Sequence, residues 1–365
     1  RQVFFNDTVV PIENMLAGRG EGFKIAMNSL NVGRIKLAAA CLDSQRRILN
    51  IAVNYAKERK QFKTSIADFG AIKVKLAEMS ASAYAGESAT YRAAKDIEDR
   101  IALREAAGNT HQEAELKGVE EYAIECSILK VAVSEDVQNC ADEGIQIFGG
   151  MGFSEEAPMA RAYRDARIAK IYEGTNEINR MLLVGMIVKK ITTGEFNLKD
   201  ELDFFNTGMI HKETIDAAPL SKEYKVIKNL KKAILMVTSK ALEIYGGKIN
   251  KEQELLINIS EMVIETYVAE STLLRTLKLI DQSGATSAGL FINLTKLYLF
   301  DAVRKSKNAG YEALACMIDD EAHLDSLLKV MDRLTAYNHL NTSRLSRDIA
   351  DEMILQNKFP YTLYS

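Results

Sequence analysis

At 365 residues with 47% hydrophobic content, the chain is long enough for two or three domains with sizeable cores. A formal net charge of -3, with Lys and Arg interspersed among Asp and Glu, excludes a general affinity for nucleic acid. Four cysteines without CxxC spacing and four histidines in no ligand pattern give no reason to expect a metal, and no apolar run of about eighteen residues marks a membrane span.

Taken in chain order, the first residues, Val3, Phe4, Phe5, Val9 and Val10, read as strand material broken by a polar turn at Asn6 and Asp7. A chain that opens on Arg1 inside such a segment is expected to be the C-terminal part of a longer protein. Only four prolines follow or flank the rest (Pro11, Pro158, Pro219, Pro360), which favours an all-α body. Helical periodicity runs from Phe23 to about Tyr55, stops at the polar stretch 57–64, and resumes near Asp68 with Ile72, Leu76, Met79 and Ala83. The charged region 94–118 reads as a solvated connection. A third helix is expected over roughly 119–145, closed by Gly149 and Gly150, and then a short irregular segment containing Pro158. The fourth helix should start after Gly174, since Thr175 is a good N-cap and Glu177 places an anion in the first turn.

Periodicity lapses from Gly194 to Ser221, after which four more helices are expected, at 222–245, 251–281, 286–307 and 311–336, with a tail beyond them. In 286–307, Phe291, Leu294, Leu297, Tyr298 and Val303 accompany Lys296, Arg304, Lys305 and Lys307. That mixture is compatible with peripheral membrane contact, but core packing is the expected role. Leu76 to Arg92, LAEMSASAYAGESATYR, also resembles Ile259 to Arg275, ISEMVIETYVAESTLLR. Glu78, Met79, Tyr84, Glu87, Ser88 and Arg92 recur at one constant offset, as Glu261, Met262, Tyr267, Glu270, Ser271 and Arg275. A duplicated helical-bundle unit is the expected source, with chance sharing between two amphipathic helices as the alternative. At the same offset Glu173 becomes Gln356 and Arg59 becomes Leu242, so chemistry is expected in the first copy alone.

The stretch Ile171-Tyr172-Glu173-Gly174-Thr175-Asn176-Glu177-Ile178 carries most of the functional signal. Gly174 separates Glu173 from the helix that follows, so the carboxylate can point sideways from a tight turn. Flanked by Ile171 and Tyr172 it would be poorly hydrated and a better base near neutrality. On local sequence alone the commoner reading is an ordinary acidic residue ahead of a helix. Arg59, amid Lys57, Glu58 and Lys60, reads as readily as part of a solvated charge run.

Ile171 to Ile178 resembles the IYEGT or FEGTN signature of acyl-CoA dehydrogenases. VFFNDTVVPIENML, GFKIAMNSLNVGR, YAKERKQF and DEGIQIFGGMGF stand in that family's order ahead of it. The resemblance is strong over residues 1–190, and the further helical region is similar to the very-long-chain branch. It implies the end of a β-domain with remnant strands at 1–20, an FAD-binding four-helix bundle at 21–192, a linker at 193–221, and a degenerate second bundle at 222–365. It implies that Glu173 is the catalytic base for α,β-desaturation of fatty acyl-CoA, with Asn31, Arg34, Tyr172 and Gly174 binding the substrate. FAD is expected at Arg59, Gln61, Phe62, Phe69 and Gly70, at Gln146, Ile147, Phe148, Gly149 and Gly150, and at Thr175, Asn176, Glu177 and Ile178. The middle segment is taken from the neighbouring subunit in the family. Lys63 and Thr64 depart from the usual Gly and basic residue.

The resemblance further implies a homodimer, an electron-transfer flavoprotein as electron acceptor, and a cytoplasmic protein if bacterial or a mitochondrial-matrix protein if eukaryotic, the first being favoured. This stretch alone is expected to bind FAD weakly and turn over little. An acyl-CoA oxidase and a non-catalytic scaffold on the same body are the rival readings, the intact Glu173 speaking against the second.

Overall fold

The computed structural model describes residues 2–196, 198, 219–337 and 340–359, and helices carry most of them. The chain runs through α1 (Gly22–Glu58), a two-residue-strand hairpin of β1 (Lys60–Gln61) and β2 (Thr64–Ser65), α2 (Gly70–Ala106), α3 (His111–Glu121), α4 (Ala123–Phe148), α5 (Gly150–Phe153), α6 (Pro158–Ala169) and α7 (Asn176–Thr192). The remainder comprises α8 (Ser221–Tyr245), α9 (Gln253–Ser283), α10 (Gly289–Ala315), α11 (Glu321–Leu334) and α12 (Thr342–Gln356). In the first bundle α1 lies on α2 and α4, and α4 also carries α6 and α7. All-α architecture is thus what the spacing of prolines and apolar residues leads to.

Several local expectations are corrected. Residues 2–20 contain no strand: Val3, Phe4, Phe5 and Val9 are exposed, and only a single 3-10 turn forms at Ile12–Asn14. A strand needs a neighbour to accept its ladder hydrogen bonds, and among the described residues none lies alongside. The charged stretch 94–118 is helical, not an open connection. Its charges pair along and between helices, Lys95 with Asp99, Arg92 with Asp96, and Arg100 and Arg104 together with Glu121, while Ala93 and Ile97 are buried. The chain turns only at Gly108, where φ is 95°, and Thr110 with Glu113 forms a capping box that starts α3. Pro158 opens a helix of 12 residues at its first position, where its missing N–H would have had no partner anyway.

In the second half, α10 runs through the expected break near residue 308. Gly310 is no helix breaker there: a Cβ on it would meet Met331 Cε at 2.5 Å, so its smallness lets α11 approach. The tail forms α12, which packs on α2, and Lys57 Nζ donates to the Ile354 carbonyl at 2.8 Å. The apolar side chains of α10, Leu294, Leu297, Tyr298 and Val303, are buried in the core, and among the described residues no helix is long and apolar enough to cross a membrane. Most of the expected linker 193–221, and the tail beyond Phe359, fall outside the described residues.

The internal repeat meets itself in space. α9 packs on α2, α4 and α7, and the repeated residues exchange partners across the α2–α9 contact. Arg275 Nη2 bonds Glu87 Oε1 at 2.9 Å, and Arg92 Nη1 bonds Glu270 Oε2 at 3.1 Å. The Arg275 guanidinium lies 5.1 Å from the Tyr84 ring centroid, and that of Arg92 lies 5.0 Å from Tyr267. Arg275 reaches Ser88 Oγ at 3.4 Å, as Arg92 reaches Ser271 Oγ at 3.2 Å. Residue i contacting the copy of j, while j contacts the copy of i, is the signature of a two-fold interface, here formed within one chain. On α4, burial pushes the Asp136 carboxyl up to about 8, against the pull of Lys305.

Candidate active site

Three elements converge on Glu173. The turn between α6 and α7 places this residue at φ 58° and Gly174 at φ 80°, and Thr175 Oγ1 caps α7 by accepting from the Ile178 amide at 3.3 Å. A left-handed glutamate is costly unless the surroundings hold it. Here Asn179 Nδ2 donates to the carbonyls of Glu173 (3.3 Å), Gly174 (2.9 Å) and Thr175 (3.1 Å), and Arg34 Nε donates to the Glu173 carbonyl at 3.4 Å. Arg34 is itself buried and anchored by Asn31 Oδ1 at 2.9 Å; burial pulls its pKa down and Glu173 opposes that. Asn31 and Arg34 therefore sit under the turn, whereas Tyr172 is about half exposed beside it.

The carboxylate of Glu173 rests on Gly33 of α1, a residue the sequence reading passed over. A Cβ at Gly33 would lie 2.6 Å from Glu173 Oε2 and 2.8 Å from Cδ. A helix-interior glycine costs about 1 kcal/mol against alanine, and that unexplained cost inside NVGR was the available signal. Because the atom in the way is the end of a flexible side chain, Gly33→Ala should fold at least as stably as the parent while the carboxylate swings aside. With Glu173 as the base that the family resemblance implies, the expected result is an unchanged or raised thermal midpoint together with a substrate-driven flavin reduction rate about tenfold or more lower, the loss that misplacing such a group incurs. Equal rates would show that Glu173 does not need this seat.

Two thiols near this turn are kept out of the chemistry. Burial pushes Cys41 up to about 11 and Cys126 up to about 12, so neither is a thiolate at neutral pH.

A second constellation lies at the other end of α1. A cavity of about 530 Å³ is lined by Tyr55, Arg59, Gln61, Phe62, Ile66, Phe69, Ile72 and residues 147–151. It therefore joins the 59–62 hairpin, Phe69 and the Ile147-Phe148-Gly149-Gly150 segment. Phe62 and Lys63 are the two turn residues of the hairpin, with φ 49° and 68°, as a two-residue turn of the I′ kind demands. Lys63 thus accepts a backbone conformation that glycine would take freely. Phe148 stacks on Tyr55 with ring centroids 3.8 Å apart, and Gly149, at φ 61°, ends α4 and turns the chain into α5. Gly70 follows Phe69 as the first residue of α2, and Gln146 is exposed just before the cavity segment.

Thr175, Asn176, Glu177 and Ile178 contribute nothing to this cavity. Glu177 and Ile178 are exposed at the start of α7, and the Asn176 side chain is buried among α4 residues. About six turns of α1 separate Gly33 from Tyr55, roughly 33 Å at 1.5 Å per residue.

Residues 20–187 match the family described as acyl-CoA dehydrogenase, C-terminal domain, and residues 229–332 match a second family of the same description. These two stretches are acyl-CoA dehydrogenase C-terminal domains. Along 361 residues it is 35% identical to a Bacillus subtilis protein named "Probable acyl-CoA dehydrogenase", covering 98% of this chain and 61% of that one. It is 39% identical over 182 residues to the human very long-chain specific acyl-CoA dehydrogenase, mitochondrial, covering 50% of this chain and 25% of the relative. The crystal structure of an acyl-CoA dehydrogenase complexed with FAD from Bacillus anthracis superposes with a TM-score of 0.92 at 36% identity, again over 98% of this chain and 61% of that one. An acyl-CoA oxidase of Caenorhabditis elegans shares the fold alone, with a TM-score of 0.65 at 17% identity over 90% of this chain and 49% of that one. The dehydrogenase family and its oxidase neighbours thus use one helical body, and the chain spans about three fifths of the length of its full-length bacterial relatives.

Proposed function

We propose that the protein desaturates fatty acyl-CoA thioesters between the α and β carbons, with Glu173 as the base. The observation that carries this is the seating of Glu173: a carboxylate held over a glycine, on a turn whose Glu173, Gly174 and Thr175 carbonyls are tied down by Asn179 and Arg34. The flanking Tyr172 and Asn176 amides are bonded within the turn, whereas among the described residues the Glu173 N–H donates to nothing. That N–H can bind the thioester carbonyl and stabilise negative charge as the α-proton leaves for Glu173. When bound, FAD supplies the acceptor for the β-hydride. The two electrons then pass to an electron-transfer flavoprotein.

The cavity beside Arg59 suits the nucleotide end of the cofactor: a guanidinium for phosphate, Phe62 and Phe69 for a flat ring, and glycines that let amides approach. Its distance of roughly 33 Å along α1 from the Glu173 turn exceeds the length of an extended dinucleotide. One flavin touching both therefore spans two copies of the chain, the cavity from one and the Thr175–Ile178 turn from the other. The functional unit is accordingly a homodimer, and the α2–α9 seam covers in cis a helical face that another pair of copies could otherwise occupy.

The test is an anaerobic titration of the flavin-loaded full-length protein with acyl-CoAs of graded chain length. Loss of the yellow absorbance with one length class, followed by slow recovery in air and fast recovery with electron-transfer flavoprotein, is the expected result. Fast recovery in air would assign an oxidase, and no bleaching by any acyl-CoA would overturn the reading.

A further inference from the structure

The turn that carries Glu173 is also tied to the second helical domain. On the second turn of α7, Arg180 is buried between two carboxylates: Glu135 of α4, with Nη2 2.8 Å from Oε2, and Glu261 of α9, which pairs with Nη1. Ser260 of α9 adds Oγ at 3.4 Å from Nη1. The other oxygen of Glu135 accepts from Asn176 Nδ2 at 3.0 Å. Asn176, the first residue of α7, has its amide oxygen held by the buried Lys130 Nζ at 2.6 Å and by Ser134 at 3.2 Å. Its own N–H returns to the Lys170 carbonyl at 3.1 Å, so it clamps the turn from residue 170 to residue 176.

Helix stability does not explain an arginine here. A cation in the first turns of α7 opposes the helix dipole, and its burial adds a desolvation cost. Glu135 and Glu261 offset that cost and hold Arg180 charged. The two domains also meet along α2 and α9, through the reciprocal Glu87, Arg92, Glu270 and Arg275 pairs, so the inter-domain contact does not depend on Arg180 alone. Glu261 of the second domain is thus spent on a cation whose other neighbours lead, through Glu135 and Asn176, to the Glu173 turn.

We propose that Glu261, acting through Arg180, is a positioning residue for Glu173, so that the second helical domain sets the pose of the base as well as covering the bundle. The proposal rests on the reading of Glu173 as the base. Weakening the Glu261–Arg180 pair releases Arg180 toward Glu135, shifts Asn176, and loosens the turn that holds the base.

Glu261→Gln, Glu261→Asp and Glu270→Gln in the flavin-loaded full-length protein separate this from a purely structural role. Glu270 is on the same helix and in the same seam, but its partners Arg92 and Lys231 do not reach the turn. Glu261→Gln should lower the limiting rate of flavin reduction by acyl-CoA about tenfold at unchanged substrate Kd and flavin content. Glu261→Asp should recover most of the rate, and Glu270→Gln should keep all of it. Wild-type rates in Glu261→Gln, or a change in Kd with the rate preserved, would overturn the proposal while leaving the base reading intact. A wild-type protein that no acyl-CoA bleaches overturns both.

Discussion

Glu173→Gln in the flavin-loaded full-length protein is expected to stay yellow, to bind acyl-CoA, and to lose about a thousandfold or more in the rate of flavin reduction. Removal of a positioned general base accounts for a loss of this order. The amide preserves the shape that rests on Gly33, and the turn is held by its carbonyls, which the substitution leaves alone. Stability and cofactor content should therefore remain at parental levels. Stopped-flow reduction under anaerobic conditions checks this, and a rate within tenfold of the parent would remove Glu173 from the role of base.

The largest expected effect on stability is at Glu87. Its side chain is 1% exposed and carries two guanidinium groups, Arg46 from α1 and Arg275 from α9. Glu87→Ala leaves both cations beside the seam without their carboxylate, a change of the kind that costs about 3–5 kcal/mol. The symmetry mate Glu270 pairs with Arg92 and with Lys231, whose side chain is half exposed, and water can replace much of that interaction. Glu270→Ala should cost about 1 kcal/mol. Urea unfolding of the two variants side by side measures the difference. Equal costs would mean that the two halves of the pseudo-two-fold seam are energetically alike, against the burial asymmetry between them.

Much of this was legible in one dimension. The helices α1, α7, α8 and α9 follow from apolar spacing, and the start of α7 from Thr175, because caps and periodicity are local properties. Region 94–118 was misread because its polarity suggests solvent, whereas the charges that make it polar also pair at helical spacing. Gly310 in α10 and Gly33 in α1 look like weaknesses of a helix in sequence; each is explained only by the atom opposite, Met331 in one case and the Glu173 carboxylate in the other.

Sequence by itself determined the helical class, the recurrence of one residue pattern in both halves, and the choice of Glu173, Arg59 and the glycine-rich segment as the residues to watch, since type and spacing carry that information. Tertiary structure alone decided that the two copies of the repeat face each other as a two-fold pair, and that the cavity beside Arg59 and the Glu173 turn stand about six turns apart along α1. It also decided that Lys130, Asn176, Glu135, Arg180 and Glu261 form one largely buried chain of contacts behind that turn. The physical reason is the range of the interactions: capping and periodicity act within a few residues, whereas a buried charge finds its partner wherever packing brings a desolvated counter-charge within hydrogen-bonding distance.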